Sequence, residues 1–230
     1  MTQFPFSLIG FDLDGTLLDT SGDLGVALNH ALTQGGFASV PMDQVRTLVG
    51  GGTKQMLAKA LALDGVVLDA DAMTRLTQVL VSHYEANIAV HSRLFPGGEA
   101  MLDALDARGV KMAVVTNKME HLAVRLLDEI GLSHRFVTII GGDTLGPGRA
   151  KPKPDLLQLM LERAGVAASR AAYVGDTTFD TGAAAAAGLP CVAVRFGFCD
   201  KPADDLGADR VIDHFDDLVD TLADMGQIAA

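Results

Sequence analysis

Cysteine is scarce in this chain, tryptophan is missing, and basic residues are outnumbered; each shortage narrows what the protein can be. The only cysteines, Cys191 and Cys199, show neither a CxxC nor a zinc-ligand spacing, which argues against a disulfide scaffold or a zinc ribbon. They are expected to be free thiols in a reducing cytoplasm. With no Trp and 5% aromatic residues against 49% hydrophobic, the core is expected to be aliphatic. Apolar runs are short and interrupted, and none approaches the roughly 18 to 20 residues that cross a bilayer. The start of the sequence lacks a basic stretch followed by a long apolar segment, so neither a secretory signal nor a membrane is expected. Eighteen Lys and Arg face 29 Asp and Glu, a net charge of -11 with a pI near 4.8. A nucleic-acid partner would need a basic footprint, so none is expected. A small phosphorylated partner is not excluded, because exposed charges are screened beyond about 8 Å and the cations at a site decide.

What the sequence does have is an alternation. Five apolar, β-branched segments, FSLIGFDLD, VKMAVVTN, FVTIIGGD, AAYVGD and CVAVRFG, read as parallel strands covered on both faces. Helical patterns separate them: GEAMLDALDARG, KMEHLAVRLLDEIG, PDLLQLMLERAG and TGAAAAAG. Strand-helix alternation predicts an α/β fold, a Rossmann-like doubly wound parallel sheet with ligands beyond the carboxyl ends of its strands. Residues 20–94 depart from this rhythm. LGVALNHALTQGG, TKQMLAKALAL and DAMTRLTQVLVSHYEANI are helical and no strand run is evident, so an all-helical domain is expected over 20–94, inserted after the first strand. The core domain then comprises 1–19 and 95–230, re-entered through the FPGG turn at Phe95–Gly98.

Four segments carry chemistry. In FDLDGT, Asp12 and Asp14 lie two apart at a strand end and point to one region, with Gly15 allowing a sharp turn. One carboxylate can attack phosphorus; the other can protonate the leaving alcohol and then deprotonate water. In YVGDTTFD, Asp176 and Asp180 supply the oxygen ligands a hard cation such as Mg²⁺ prefers, together with Asp12 and the main-chain carbonyl of Asp14. Asp180 suits an outer position or a helix N-terminus. Lys151, in KPKPD, is the expected site cation, with Lys153 the alternative. Thr116 and the backbone N–H of Asn117, after VVTN, can bind a phosphate oxygen. In the insertion, VRTLVGGGTKQML offers Arg46 and Lys54 as positive charges and Gly51 and Gly52 for close backbone approach to a substrate, or else a helix entrance capped by Thr53. His83, His91 and His121 have no mutual ligand spacing, and the methionines read as core fillers.

These segments, in this order, resemble motifs I to IV of the haloacid dehalogenase superfamily over essentially the whole chain, and the insertion resembles its helical C1 cap. The resemblance implies Asp12 as nucleophile, Asp14 as general acid/base, Thr116 and Lys151 as phosphate contacts, and Asp12, Asp14, Asp176 and Asp180 as the Mg²⁺ set. Haloacid dehalogenases and phosphonoacetaldehyde hydrolases lack the second Asp of the first motif. Its retention at Asp14 fits an alkoxide leaving group that needs a proton. VRTLVGGGT, AVVTNK, GGDTL, AKPKPDLL and YVGDTTFDTGAAAAAGLP resemble bacterial phosphoglycolate phosphatases. Lys153 stands where those commonly have His, and Phe196-Gly197-Phe198 where they have an aromatic-Gly-Tyr. The expectation is a Mg²⁺-dependent, cytoplasmic hydrolase of a small phosphate monoester, 2-phosphoglycolate foremost, as a monomer or homodimer. The alternatives are a β-phosphoglucomutase-like mutase, a phosphatase of another small sugar phosphate, and a non-catalytic phosphate-binding module.

Overall fold

Neighbouring residues in each short apolar run serve opposite faces of one sheet. The computed structural model describes residues 4–228. In chain order its regular elements are β1 (Leu8–Phe11), β2 (Leu18–Asp19), α1 (Ser21–Gln34), α2 (Met42–Leu48), α3 (Thr53–Leu63), α4 (Ala70–Ala86), β3 (Arg93–Leu94), α5 (Gly98–Asp106), β4 (Lys111–Val115) and α6 (Glu120–Ile130). They continue with β5 (Thr138–Ile140), α7 (Asp155–Ala164), β6 (Ala171–Gly175), α8 (Thr178–Ala187), β7 (Cys191–Val194), β8 (Arg210–Ile212) and α9 (Leu218–Ile228). Six strands form a parallel sheet in the order β5-β4-β1-β6-β7-β8.

Ile9, Phe11, Met112, Val114, Ala172, Val174, Val192 and Val194 pack on one face with residues of α5, α6 and α9. Leu8, Ala113, Val115, Ala171, Tyr173 and Cys191 pack on the other, against α7 and α8. The two-residue period of a strand produces this division, and full burial of each large apolar side chain contributes about 1.5–3 kcal/mol. The aliphatic core is as expected, and both cysteines are free thiols.

All five expected strands form. The sixth, β8, escaped the pattern because it is three residues long with only Ile212 buried. The insertion is helical from α1 to α4, but its two connections to the sheet pair as an antiparallel ribbon, Leu18 with Leu94 and Asp19 with Arg93. Two-residue strands leave no periodic signal. The buried cluster on the α5 face continues into the insertion through residues such as Leu28, Leu57, Leu80 and Tyr84. No helix among the described residues is long and apolar enough to cross a membrane.

Candidate active site

β1 lies between β4 and β6, so their carboxyl ends bring three segments of distant sequence to one place. Asp12 follows β1, and its backbone N–H donates to Val174 O at 2.9 Å, extending the ladder. Its Oδ1 accepts from Lys151 Nζ at 2.8 Å, while Oδ2 accepts no hydrogen bond from protein among the described residues. Lys151 is 4% exposed and also donates to Asp180 Oδ1 at 2.5 Å, while Val115 O at 3.1 Å and Tyr173 Oη at 2.9 Å share its remaining N–H. Lys153 is exposed. Of the two candidate lysines, the site holds Lys151.

Asn117 explains how that lysine is held. Its side-chain amide donates to Lys151 O at 3.1 Å and accepts from Lys151 N at 2.9 Å. The Asn117 side chain thus braces Lys151, which leaves its backbone N–H as the group available to a substrate. Thr116, 1% exposed, lines the same cavity.

Gly15 turns the chain with φ +87°, and a Cβ there would collide with Asp176 and Phe198. Asp14 accepts from Thr20 Oγ1 at 2.8 Å and Lys118 Nζ at 2.7 Å. Asp176 is fully buried, accepting from Thr16 Oγ1 at 2.9 Å and Phe198 N at 2.7 Å. Asp180, also fully buried, closes a capping box with Thr177 at the start of α8 and gives its other oxygen to Lys151. Asp180 is thus both the helix cap and a partner of Lys151.

Carboxylate oxygens of Asp12, Asp176 and Asp180 lie within 4.8 Å of one another. Oxygens on opposite sides of a bound Mg²⁺ are about 4.2 Å apart, so small side-chain shifts suffice. Asp14's carboxylate is outside this cluster, and only its main-chain carbonyl remains for a metal set. Burial, assisted by Asp180, pushes the Asp12 pKa up to about 6 against the pull of Lys151. Burial and the neighbouring Asp180 and Asp12 carboxylates raise Asp176 well above the usual range. Four acids, Asp12, Asp14, Asp176 and Asp180, face two ammonium groups, Lys118 and Lys151. The residues fit a hard divalent cation, which would offset the two surplus negative charges.

A cavity of about 270 Å³ opens above these groups, lined by Asp12, Asp14, Thr116, Asn117 and Lys151 from the sheet side and by Gly50–Lys54, Met56 and Tyr84 from the insertion. Gly50, Gly51 and Gly52 have φ of 107°, 73° and 92°, and α3 begins at Thr53 without a side-chain cap. The loop, rather than a Thr53 cap, is what this sequence builds. Arg46 does not line the cavity. Its guanidinium donates to Phe196 O at 3.0 Å, sits 3.6 Å from Asp19, and lies over the Phe95 and Phe198 rings. The substrate contact expected of Arg46 is thus replaced by a junction between α2 and the sheet.

Lys118 and Tyr84 escaped the sequence reading. Lys118 follows Thr116-Asn117 directly, which was the available signal; Tyr84 had none, being one apolar position of a helix 34 residues upstream.

Residues 9–194 match the family model described as haloacid dehalogenase-like hydrolase. A phosphoglycolate phosphatase of Agrobacterium fabrum is 40% identical over 225 residues, covering 96% of this chain and 95% of the relative. One from Caulobacter vibrioides is 41% identical over 210 residues, covering 91% and 88%. Among solved structures, a predicted phosphoglycolate phosphatase from Haemophilus somnus 129pt superposes with a TM-score of 0.86 at 30% identity, covering 96% of this chain and 99% of that one.

Proposed function

From the premise that this chain belongs to the haloacid dehalogenase-like hydrolase family and is a phosphatase, we propose that it hydrolyses 2-phosphoglycolate to glycolate and phosphate, through a phosphoryl group carried on Asp12. The observation that supports this most directly is the state of the Asp12 carboxylate. One oxygen is fixed by Lys151 at 2.8 Å, the other accepts no hydrogen bond from protein among the described residues, and the residue lines the cavity. A nucleophile with one oxygen anchored and one open is pre-oriented for attack on phosphorus.

In the proposed cycle, Asp12 attacks phosphorus and the ester oxygen departs with a proton from Asp14. The resulting Asp14 carboxylate then removes a proton from the water that hydrolyses the aspartyl phosphate. Lys151, the Thr116 hydroxyl and the Asn117 N–H stabilise charge on the phosphoryl oxygens. Asp12 and Asp176, with Asp180 behind them, would hold Mg²⁺. When bound, the ion offsets repulsion between the carboxylates and an anionic substrate. Residues 20–94 serve as a cap whose Gly50–Lys54 loop closes the cavity and excludes water.

Phosphate release from 2-phosphoglycolate should require Mg²⁺, and Asp12→Asn should abolish it without unfolding the protein. Appreciable residual turnover in Asp12→Asn would move the nucleophile elsewhere. A hexose 1-phosphate supplied with a bisphosphate activator should yield no 6-phosphate; its appearance would instead favour the mutase reading.

A further inference from the structure

The cavity wall opposite the phosphoryl-accepting carboxylate contains a buried positive charge and an orphaned hydroxyl. The Lys118 side chain is buried, 5% exposed, and its ammonium donates to Asp14 Oδ2 at 2.7 Å. An ammonium carries three donors. Tyr84, 1% exposed, lies with its ring 4.6 Å from Lys118 Nζ. Its hydroxyl is buried without a hydrogen-bond partner among the described residues. A buried polar group left unpaired is unfavourable by about 1–3 kcal/mol; both residues border the cavity, Tyr84 from within the buried apolar cluster.

We infer that Lys118 Nζ and the Tyr84 hydroxyl form the subsite that reads the carboxylate on the departing alcohol of the proposed substrate. The inference deepens the proposed phosphatase activity and rests on it. Connectivity carries it. Asp14 serves the ester oxygen, and Lys118 is bonded to Asp14 at 2.7 Å. A carboxylate carbon two bonds beyond the ester oxygen, as in a 2-phospho acid, falls beside that ammonium. Leu24, Met56, Met119 and Leu122 also line the cavity and offer no partners to the hydroxyls of a sugar. Lys54 also borders the cavity but is exposed on its rim, where a charge is worth less.

The test compares kcat/KM for 2-phosphoglycolate and for ethyl phosphate, which keeps the ester and lacks the carboxylate. The wild-type enzyme should favour 2-phosphoglycolate. Tyr84→Phe should lower that preference about ten-fold, the loss of one hydrogen bond to a charged group, through KM, leaving ethyl phosphate turnover within about two-fold. A preference unchanged by Tyr84→Phe, or lost equally on both esters, would overturn the subsite. A second reading needs no variant: glycolate should inhibit ethyl phosphate hydrolysis where ethylene glycol at the same concentration does not, and equal inhibition by the two would count against it. Equal kcat/KM for the two esters in the wild type sinks the subsite alone, whereas no phosphate from either ester sinks the phosphatase reading as well.

Discussion

Asn117 shows how little a residue's type discloses of its work. In the sequence it stands beside Thr116 as a candidate substrate contact; in the structure its amide is committed at both ends to the backbone of Lys151. Lys151 in turn touches Asp12, Asp180 and Tyr173, so Asn117 acts on the chemistry through the lysine. Asn117→Ala is expected to lower kcat by roughly ten-fold or more, since two hydrogen bonds of about 1 kcal/mol each are removed. KM for aryl and alkyl phosphates should change less. Steady-state kinetics on both decides, and a pure KM effect would return Asn117 to direct substrate binding. The two lysines make the same point from the other side. AKPKPD does not say which ammonium enters the site, because both lysines flank a proline; burial of one and exposure of the other follow from long-range contacts.

At the scale of elements, legibility tracked length. The strands β1, β4, β5, β6 and β7 and the helices α5 to α8 are all visible as apolar patterns, and the acids at the ends of β1 and β6 could be picked out with them. The ribbon β2–β3, with two residues per strand, and β8 leave no comparable trace. Nor does a helix of one chain region announce that its Tyr84 will meet Lys118, 34 residues on. For Arg46, a positive charge near a glycine loop suggests an anion site, whereas its neighbours Asp19, Phe95, Phe196 and Phe198 lie far along the chain. Arg46→Met should therefore act on the junction of α2 with the sheet. Hydrogen exchange over residues 42–63 is expected to quicken, with hydrolysis of a small aryl phosphate nearly unchanged. Exchange equal to wild type would deny that junction. The start of α8 offers a second check. Thr177 accepts from and donates to the capping arrangement that fixes Asp180, so Thr177→Ala should destabilise the protein by about 1 kcal/mol or more, read as a lower midpoint in urea.

For the molecule as a whole, the surplus of buried negative charge links metal, proton and stability. The Asp12 pKa rises from 3.8 to about 6 on folding, chiefly through burial, a difference corresponding to roughly 3 kcal/mol. The sign follows from proton counts. Between those values the folded state binds a proton that the unfolded chain does not, so this carboxyl favours folding at low pH. That contribution is lost as pH rises through about 6, where Asp12 must stay ionised in a buried site beside Asp180. Asp176, raised in the same direction by burial and by its acidic neighbours, adds to the trend. A divalent cation binds the ionised forms and protons compete with it. Mg²⁺ should therefore raise the melting temperature clearly at pH 7.5 and far less at pH 5, with the increment growing as pH climbs through about 6. Asp176→Asn should erase most of the increment at either pH. Thermal melts with Mg²⁺, and with Na⁺ at matched ionic strength, measure this directly. An increment as large at pH 5 as at pH 7.5, or one matched by Na⁺, would mean that the ion does not engage the Asp12–Asp176 carboxylates.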